Sequence, residues 1–112
     1  MSDLHMTYIS GPMTGYPEHN YPAFAAKAAE LRANPLKHGG VISPAELHPA
    51  DIPGVTWDWY LRRDLTELVK CSHIVMLPDW WYSKGASLEH DVAWNLGMSI
   101  TYPNGMTLQN VD

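Results

Sequence analysis

Short runs of apolar and β-branched residues alternate along this chain with segments whose apolar residues recur at helical spacing. The runs predict strands at residues 6–10, 41–43, 72–77 and 99–102. Helical patterns lie between them, at residues 20–34, 57–70 and 83–97. The order β-α-β-α-β-α-β predicts an open parallel sheet with helices on both faces, because each crossover between parallel strands places its helix on a face.

The predicted fold class is therefore α/β, a Rossmann-like (flavodoxin-like) three-layer α/β/α arrangement with a parallel sheet of four or five strands. At 112 residues the chain forms a single domain, residues 1–112, with one modest core. Ligands in such sheets bind beyond the carboxyl ends of the strands, where the strand order reverses. The loops at 11–15 and 79–85 leave such ends. The proline-rich segment 45–55 is predicted as a loop on the same side, with one helical turn at 45–47.

The main clue to function is a carboxylate on an apolar helix stripe. Glu89 shares its helix face with the apolar residues Ala86, Val92, Ala93 and Leu96. A carboxylate facing the core is costly unless a function needs it there. The structural alternative is an acid that favours the positive end of the helix dipole. Spacing alone leaves these two interpretations equal.

A second carboxylate, Asp64, falls on the stripe of the helix at 57–70. That stripe comprises Trp57, Tyr60, Leu61, Leu65, Leu68 and Val69. Taken alone, Asp64 is better explained as a surface acid at the margin of the stripe. The helices that carry Asp64 and Glu89 flank the strand at 72–77, so the two residues could converge on one crevice.

Composition excludes several classes of function. The net charge is −5 with only seven Lys and Arg residues, which argues against binding duplex nucleic acid. A small nucleotide remains possible because backbone N–H groups bind phosphate without a basic patch. Cys71 is the only cysteine, so no intramolecular disulfide or four-cysteine metal site is expected. The six histidines lack ligand spacing, and we expect no metal and no cofactor.

Targeting signals are also missing from the sequence. The first six residues lack the basic and apolar regions of a signal peptide. No apolar run approaches membrane-spanning length. We therefore expect a cytoplasmic protein with no membrane partner. A small domain with five Trp and six Tyr has a limited core, and burial of Trp between subunits predicts a homo-oligomer.

Four short motifs together resemble a known enzyme superfamily. They are residues 8–13, Asp64 within 63–65, the strand at 74–77, and the Ser-x-Gly followed by Glu at 83–89. In order and spacing they resemble the nucleoside 2-deoxyribosyltransferase superfamily, which includes the 2'-deoxynucleoside 5'-phosphate N-hydrolases. The chain looks closest to an uncharacterised, often phage-encoded branch. The likeness covers residues 6 to 102. It departs at 71–73, where the family often has an Asp, and in a shorter C-terminus.

The resemblance implies roles for three residues. Glu89 matches the nucleophile that attacks the anomeric carbon of deoxyribose. Asp64 matches the acid that holds or protonates the base. Tyr8 matches a tyrosine that lies near the nucleophile. The predicted substrate-binding residues are Ser10, Gly11, Pro12, Met13, Ser83, Gly85, Ser87, Trp80 and Trp81.

These binding roles rest on two kinds of interaction. Ser83, Ser87 and the N–H groups of 84–87 could hold a 5'-phosphate or 5'-hydroxyl at the helix N-terminus. Trp80, Trp81 or Tyr16 could stack on the base, although packing in the core or an interface is the better explanation for any single Trp.

The expected function is cleavage of the N-glycosidic bond of a 2'-deoxynucleoside or its 5'-monophosphate, by hydrolysis or by transfer to a second base. A carboxylate can bond to C1' as positive charge builds on the sugar. The two carboxyl groups should then lie within about 10 Å of each other. The alternative is a non-catalytic module, possibly phage-encoded, that captures or senses a nucleotide and has no use for Glu89 as a nucleophile.

Overall fold

A computed structural model describes residues 5–49 and 52–110. Residues 1–4, 50–51 and 111–112 lie outside the described residues. Most of the N-terminal stretch that lacks signal-peptide features, and part of the predicted loop 45–55, therefore fall outside them. Within the described residues no helix is both long and apolar enough to cross a membrane.

The described part of the chain forms one five-stranded sheet in the order β2-β1-β3-β4-β5. Its strands are β1 (Met6–Ser10), β2 (Gly40–Ile42), β3 (His73–Met76), β4 (Ser99–Thr101) and β5 (Thr107–Gln109). The first four pair in parallel, as the sequence predicts. The chain passes from β1 to β2 on one side and returns to β3 on the other, so the order reverses between β1 and β3. The predicted α/β class with a largely parallel sheet is confirmed.

The fifth strand differs from the prediction of an all-parallel sheet. β5 runs antiparallel to β4, with Ile100 opposite Leu108. A tight turn makes this hairpin: the N–H of Gly105 donates to the carbonyl of Tyr102, and Gly105 has a φ of 89°, which favours glycine. Every β5 residue is exposed, so no buried apolar run marks this strand in the sequence.

The described helices are α1 (Tyr21–Arg32), α2 (Pro35–His38), α3 (Trp57–Leu68) and α4 (Lys84–Asn95). Short 3-10 turns occupy Pro17–Asn20, Pro44–Glu46 and Trp80–Tyr82. Alternate strand residues face opposite layers, which gives two cores. One core joins α1 to the sheet through Phe24, Ala28, Leu31, Ile9, Val75 and Leu77. The other joins α3 and α4 to the opposite face through Leu68, Ala86, Ala93, Tyr8, Ile74, Met76 and Ile100.

The predicted helix stripes are wrong at their C-terminal ends. Val69 is 54% exposed and Leu96 is 57% exposed. Each is the residue that follows the last helical residue of α3 or α4. The buried face of each helix therefore ends before its apolar stripe does.

Two residues of types that commonly cap helices do not cap the helices they precede. Asn20 precedes α1 in a left-handed conformation, and its amide donates to the carbonyl of Pro12 at 2.8 Å instead of capping the helix. Thr56 precedes α3, but its hydroxyl donates to the Asp58 carboxylate. A true side-chain cap occurs at α4, where the Ser83 hydroxyl accepts the N–H of Ala86 at 3.1 Å.

Candidate active site

A cavity of about 380 Å³ opens at the carboxyl ends of the parallel strands. Its walls come from the loop after β1, the segment after β2, the face of α3 and the first turns of α4. It is lined by Gly11, Met13, Thr14, Gly15, His19, Tyr21, Pro44, His48, Trp57, Tyr60, Leu61, Asp64, Ser83, Gly85, Ala86 and Glu89. Both predicted carboxylates therefore line one cavity, at the edge of the sheet where the strand order reverses.

Glu89 lies at the junction of α4 and β1. It is 5% exposed, on the buried stripe between Ala86 and Ala93, as the helical spacing predicts. Its Oε2 accepts a hydrogen bond of 2.9 Å from the Tyr8 hydroxyl, and its Oε1 accepts one of 2.6 Å from the Ser10 hydroxyl. Tyr8 and Ser10 are alternate residues of β1 and share the sheet face that α4 covers. Hydrogen bonds from β1 therefore fix both oxygens of the Glu89 carboxylate.

Burial controls the charge of Glu89. It raises the pKa of this carboxyl to about 8, and the nearby charge of Asp64 adds to the effect. The hydrogen bonds from Ser10 and Tyr8 favour the ionised form and oppose the rise. Burial and the Glu89 charge likewise hold the pKa of Tyr8 well above its usual range, so Tyr8 stays a hydrogen-bond donor. A positive charge in the cavity would favour the ionised form of Glu89.

Asp64 is buried on α3 and is not the surface acid that its position alone favours. It is 9% exposed, and its Oδ1 lies 3.0 Å from Nε2 of His48. Burial raises the pKa of Asp64 to about 6, against the opposing effects of the His48 hydrogen bond and charge and of the Arg63 charge. Asp64 can therefore exchange a proton near neutral pH.

His48 is a cavity residue that the sequence analysis did not select. Its ring packs against Tyr60 and Trp59 of α3, with ring centroids 4.9 and 5.8 Å apart. The Tyr60 hydroxyl accepts the N–H of Ile52 at 2.6 Å, which ties a second point of this segment to α3. The available signal was the placement of 45–55 beyond the carboxyl end of β2, on the predicted ligand side.

Only some of the predicted binding residues line the cavity. Gly85 and Ser83 line the cavity, but the Ser83 hydroxyl already caps the helix. Ser87 does not line the cavity, and its hydroxyl donates to the carbonyl of Trp81 at 3.3 Å. In the loop after β1, Gly11 and Met13 line the cavity, whereas Pro12 does not.

Neither of the predicted stacking tryptophans reaches the cavity. Trp80 stacks on His90 with ring centroids 4.4 Å apart and an angle of 22° between the planes. Trp81 is 52% exposed and lines a separate depression beside Tyr102. The 3-10 turn Trp80–Tyr82 follows a left-handed Asp79 and packs back on α4, which turns these rings away from the cavity. Tyr16 is also outside it, and its hydroxyl donates to Asp79 at 3.4 Å.

Aromatic residues of other elements line the cavity instead. Trp57 and Tyr60 come from α3, and Tyr21 begins α1. Lys84 lies over the Trp57 ring, with Nζ 5.1 Å from the centroid. Among residues 5–49 and 52–110, no group of three or more His, Cys, Asp or Glu side chains could hold a metal ion.

Fold and site together define an α/β domain with a cavity at a topological switch point and a buried carboxylate at its base. The chain belongs to the family described as Domain of unknown function (DUF4406), whose model matches residues 5–102. A search of curated proteins finds no match.

A solved structure of a 2-deoxyribosyltransferase from Bacillus psychrosaccharolyticus is similar to this chain. Its TM-score is 0.64 at 19% sequence identity, and the match covers 87% of this chain and 70% of that one. The chain therefore has a nucleoside 2-deoxyribosyltransferase-like fold.

Proposed function

We propose that this protein cleaves the N-glycosidic bond of a 2'-deoxynucleoside or its 5'-monophosphate, with Glu89 as the nucleophile. The observation that carries the proposal is the buried Glu89 carboxylate, which lines the cavity and is held at both oxygens by Tyr8 and Ser10. The fold shared with a 2-deoxyribosyltransferase supports the same class of reaction.

The environment of Glu89 suits a reaction that creates positive charge. As the base departs, C1' of the sugar becomes cationic. A carboxylate that is costly to ionise in the unliganded protein gains most from a cation placed against it, because burial strengthens the attraction. Tyr8 and Ser10 fix the direction of the attacking oxygen. The resulting ester is then opened by water, giving hydrolysis, or by a second base, giving transfer.

In this proposal, Asp64 donates the proton that the departing base takes up. Burial keeps its carboxyl protonated to a higher pH than an exposed Asp, with a pKa of about 6. General acids are most effective when their pKa lies near the working pH. Asp64 shares the cavity with Glu89, so one carboxyl can act on the base while the other acts on C1'.

The cavity walls supply the remaining contacts for substrate. Trp57 and Tyr60 offer aromatic surface for the base, in place of Trp80 and Trp81. Gly85 lines the cavity, so the N-terminal backbone of α4 can hold the 5' end of the sugar. A volume of about 380 Å³ lies within the range of small-molecule sites.

A panel of deoxynucleosides and their 5'-monophosphates tests this proposal, with released base measured by chromatography. Glu89→Gln should lower the rate by several orders of magnitude, the scale of losing an essential nucleophile. Asp91→Asn is the matched control, because Asp91 lies two residues further along α4 with a 71% exposed side chain. The variant should keep wild-type activity. Base release by Glu89→Gln at the wild-type rate would refute the mechanism.

The second candidate is a nucleotide-binding module without catalysis. The observation that favours it is the raised pKa of Glu89, which leaves the carboxyl mostly protonated at neutral pH and able to donate a hydrogen bond to a ligand. Titration calorimetry separates the two candidates. Tight binding of a nucleotide by wild type, with no release of base from any compound of the panel, would select the binding module.

A further inference from the structure

The contact between His48 and Asp64 joins two cavity residues from different elements. Nε2 of His48 lies 3.0 Å from Oδ1 of Asp64, and the two side chains are only 7% and 13% exposed. His48 contacts Oδ1 of Asp64 and not Oδ2. A buried carboxyl held at one oxygen has a fixed orientation, which a catalytic acid requires.

The second nitrogen of His48 indicates where a proton resides. Nδ1 lies 3.3 Å from the carbonyl of Pro49, which can only accept, so Nδ1 carries hydrogen. In the neutral ring, Nε2 then accepts from a protonated Asp64. In the charged ring, Nε2 donates to the Asp64 carboxylate. Both arrangements place one proton between Oδ1 and Nε2.

We propose that His48 is the positioning residue of Asp64, and that the pair, rather than Asp64 alone, holds the proton delivered to the departing base. This inference rests on the proposed function. The C1'–N bond breaks with its electron pair on the base nitrogen, which takes the proton of the pair. A Glu89 oxygen forms the new bond to C1'. When water opens that ester, its oxygen bonds to C1', one of its protons returns to the pair, and Glu89 leaves as a carboxylate.

Ring packing supports a fixed His48. Trp59 and Tyr60 hold the imidazole from α3, five and four residues before Asp64 in the same helix. The helix that carries the acid therefore also carries the surface that orients its partner. Rotation of His48 away from Oδ1 would lose these ring contacts together with the hydrogen bond.

A change of leaving group tests the inference by kinetics. His48→Gln keeps an N–H donor but cannot carry the proton, whereas His48→Ala loses both. With a purine deoxynucleotide, both variants should lose on the order of 100-fold in kcat. With the 7-methylated purine, which departs without a proton, both should stay within a few-fold of wild type. His5→Gln is the control, since His5 precedes β1 at the opposite end of the sheet and contacts Ser72 and the Lys37 carbonyl.

Equal losses on both substrates, or a His48→Gln variant as active as wild type on the ordinary purine, would overturn the inference. Glu89→Gln should lose activity on both substrates, because it lacks the nucleophile. Failure of wild type to release any base would instead contradict the proposed function. The two failures are therefore distinguishable.

Carbon-13 NMR of the Asp64 carboxyl tests the pairing without any turnover. His48 lowers the pKa of Asp64, so His48→Gln should raise the pH at which this carboxyl titrates. His5→Gln should leave that pH unchanged. The same Asp64 titration in wild type and His48→Gln would overturn the sharing of the proton.

Discussion

Wild type should lose stability as the pH rises and Glu89 ionises. Replacing Glu89 with Gln should abolish this contribution to the pH dependence. The substitution keeps the size of the side chain and deletes the buried charge. The pKa of Glu89 is raised by burial from its ordinary value of 4.5 to about 8 in the folded protein. The folded state therefore binds the proton more tightly than the unfolded state does. The resulting stability is present below pH 4.5 and is lost as the pH rises through 8.

The size of the effect follows from the two pKa values. Each pKa unit corresponds to 1.36 kcal/mol, so complete ionisation of Glu89 costs about 5 kcal/mol. Between pH 5 and pH 8 the free energy of unfolding of wild type should fall by about 3.5 kcal/mol relative to Glu89→Gln. The comparison with the variant cancels groups that titrate in both proteins, such as His73, whose pKa burial lowers to about 4.

Urea unfolding followed by Trp fluorescence measures this difference, since the chain has five Trp. Wild type and variant are compared at pH 5, 6, 7 and 8. Glu30→Gln is the matched control: Glu30 is an exposed α1 residue paired with Lys27, and its removal should leave the wild-type pH slope unchanged. Parallel pH profiles for wild type and Glu89→Gln would refute the reasoning that burial controls this carboxyl.

Three further predictions concern rate, packing and assembly. Because Glu89 must be ionised, with a pKa of about 8, and Asp64 must be protonated, with a pKa of about 6, kcat/KM should be level between about pH 6 and pH 8 and fall about tenfold per pH unit on either side. Tyr8→Phe should move the alkaline limb to higher pH, since the Tyr8 hydrogen bond lowers the pKa of Glu89. Gly11→Ala should cost about 1–3 kcal/mol in urea unfolding, because the added Cβ would lie 2.8 Å from Cβ of Leu77. Exposed aromatic residues such as Trp81 favour association of subunits, so light scattering should report a homo-oligomer. A monomer at high protein concentration would contradict this prediction.

The fold was predictable wherever strands are buried. β1 and β3 contribute to both cores, and their apolar residues mark them clearly in the sequence. β5 was not predictable because every one of its residues is exposed. The antiparallel pairing depends on the turn before it, and a turn signal alone does not reveal which strand the chain will join.

The candidate site was predictable where helical periodicity reveals a misplaced charge. Glu89 and Asp64 both stand out because an α-helix repeats its faces every 3.6 residues. His48 was not predictable, because it lies in an irregular segment and its partner Asp64 is 16 residues away. The orientation of the Trp80 ring was not predictable either, because aromatic composition does not determine which way a short turn faces.

Mass spectrometry of the quenched protein shows directly whether Glu89 forms a covalent bond to the sugar. Wild type is mixed with a substrate that carries fluorine at C2', which slows both formation and breakdown of the sugar cation. We expect the intact protein to gain the mass of one fluorinated sugar, and peptide mapping to locate it on Glu89. Glu89→Gln should gain no mass, whereas Asp91→Asn should behave like wild type. An adduct on another residue, or base released from this substrate with no adduct on Glu89, would show that Glu89 is not the nucleophile.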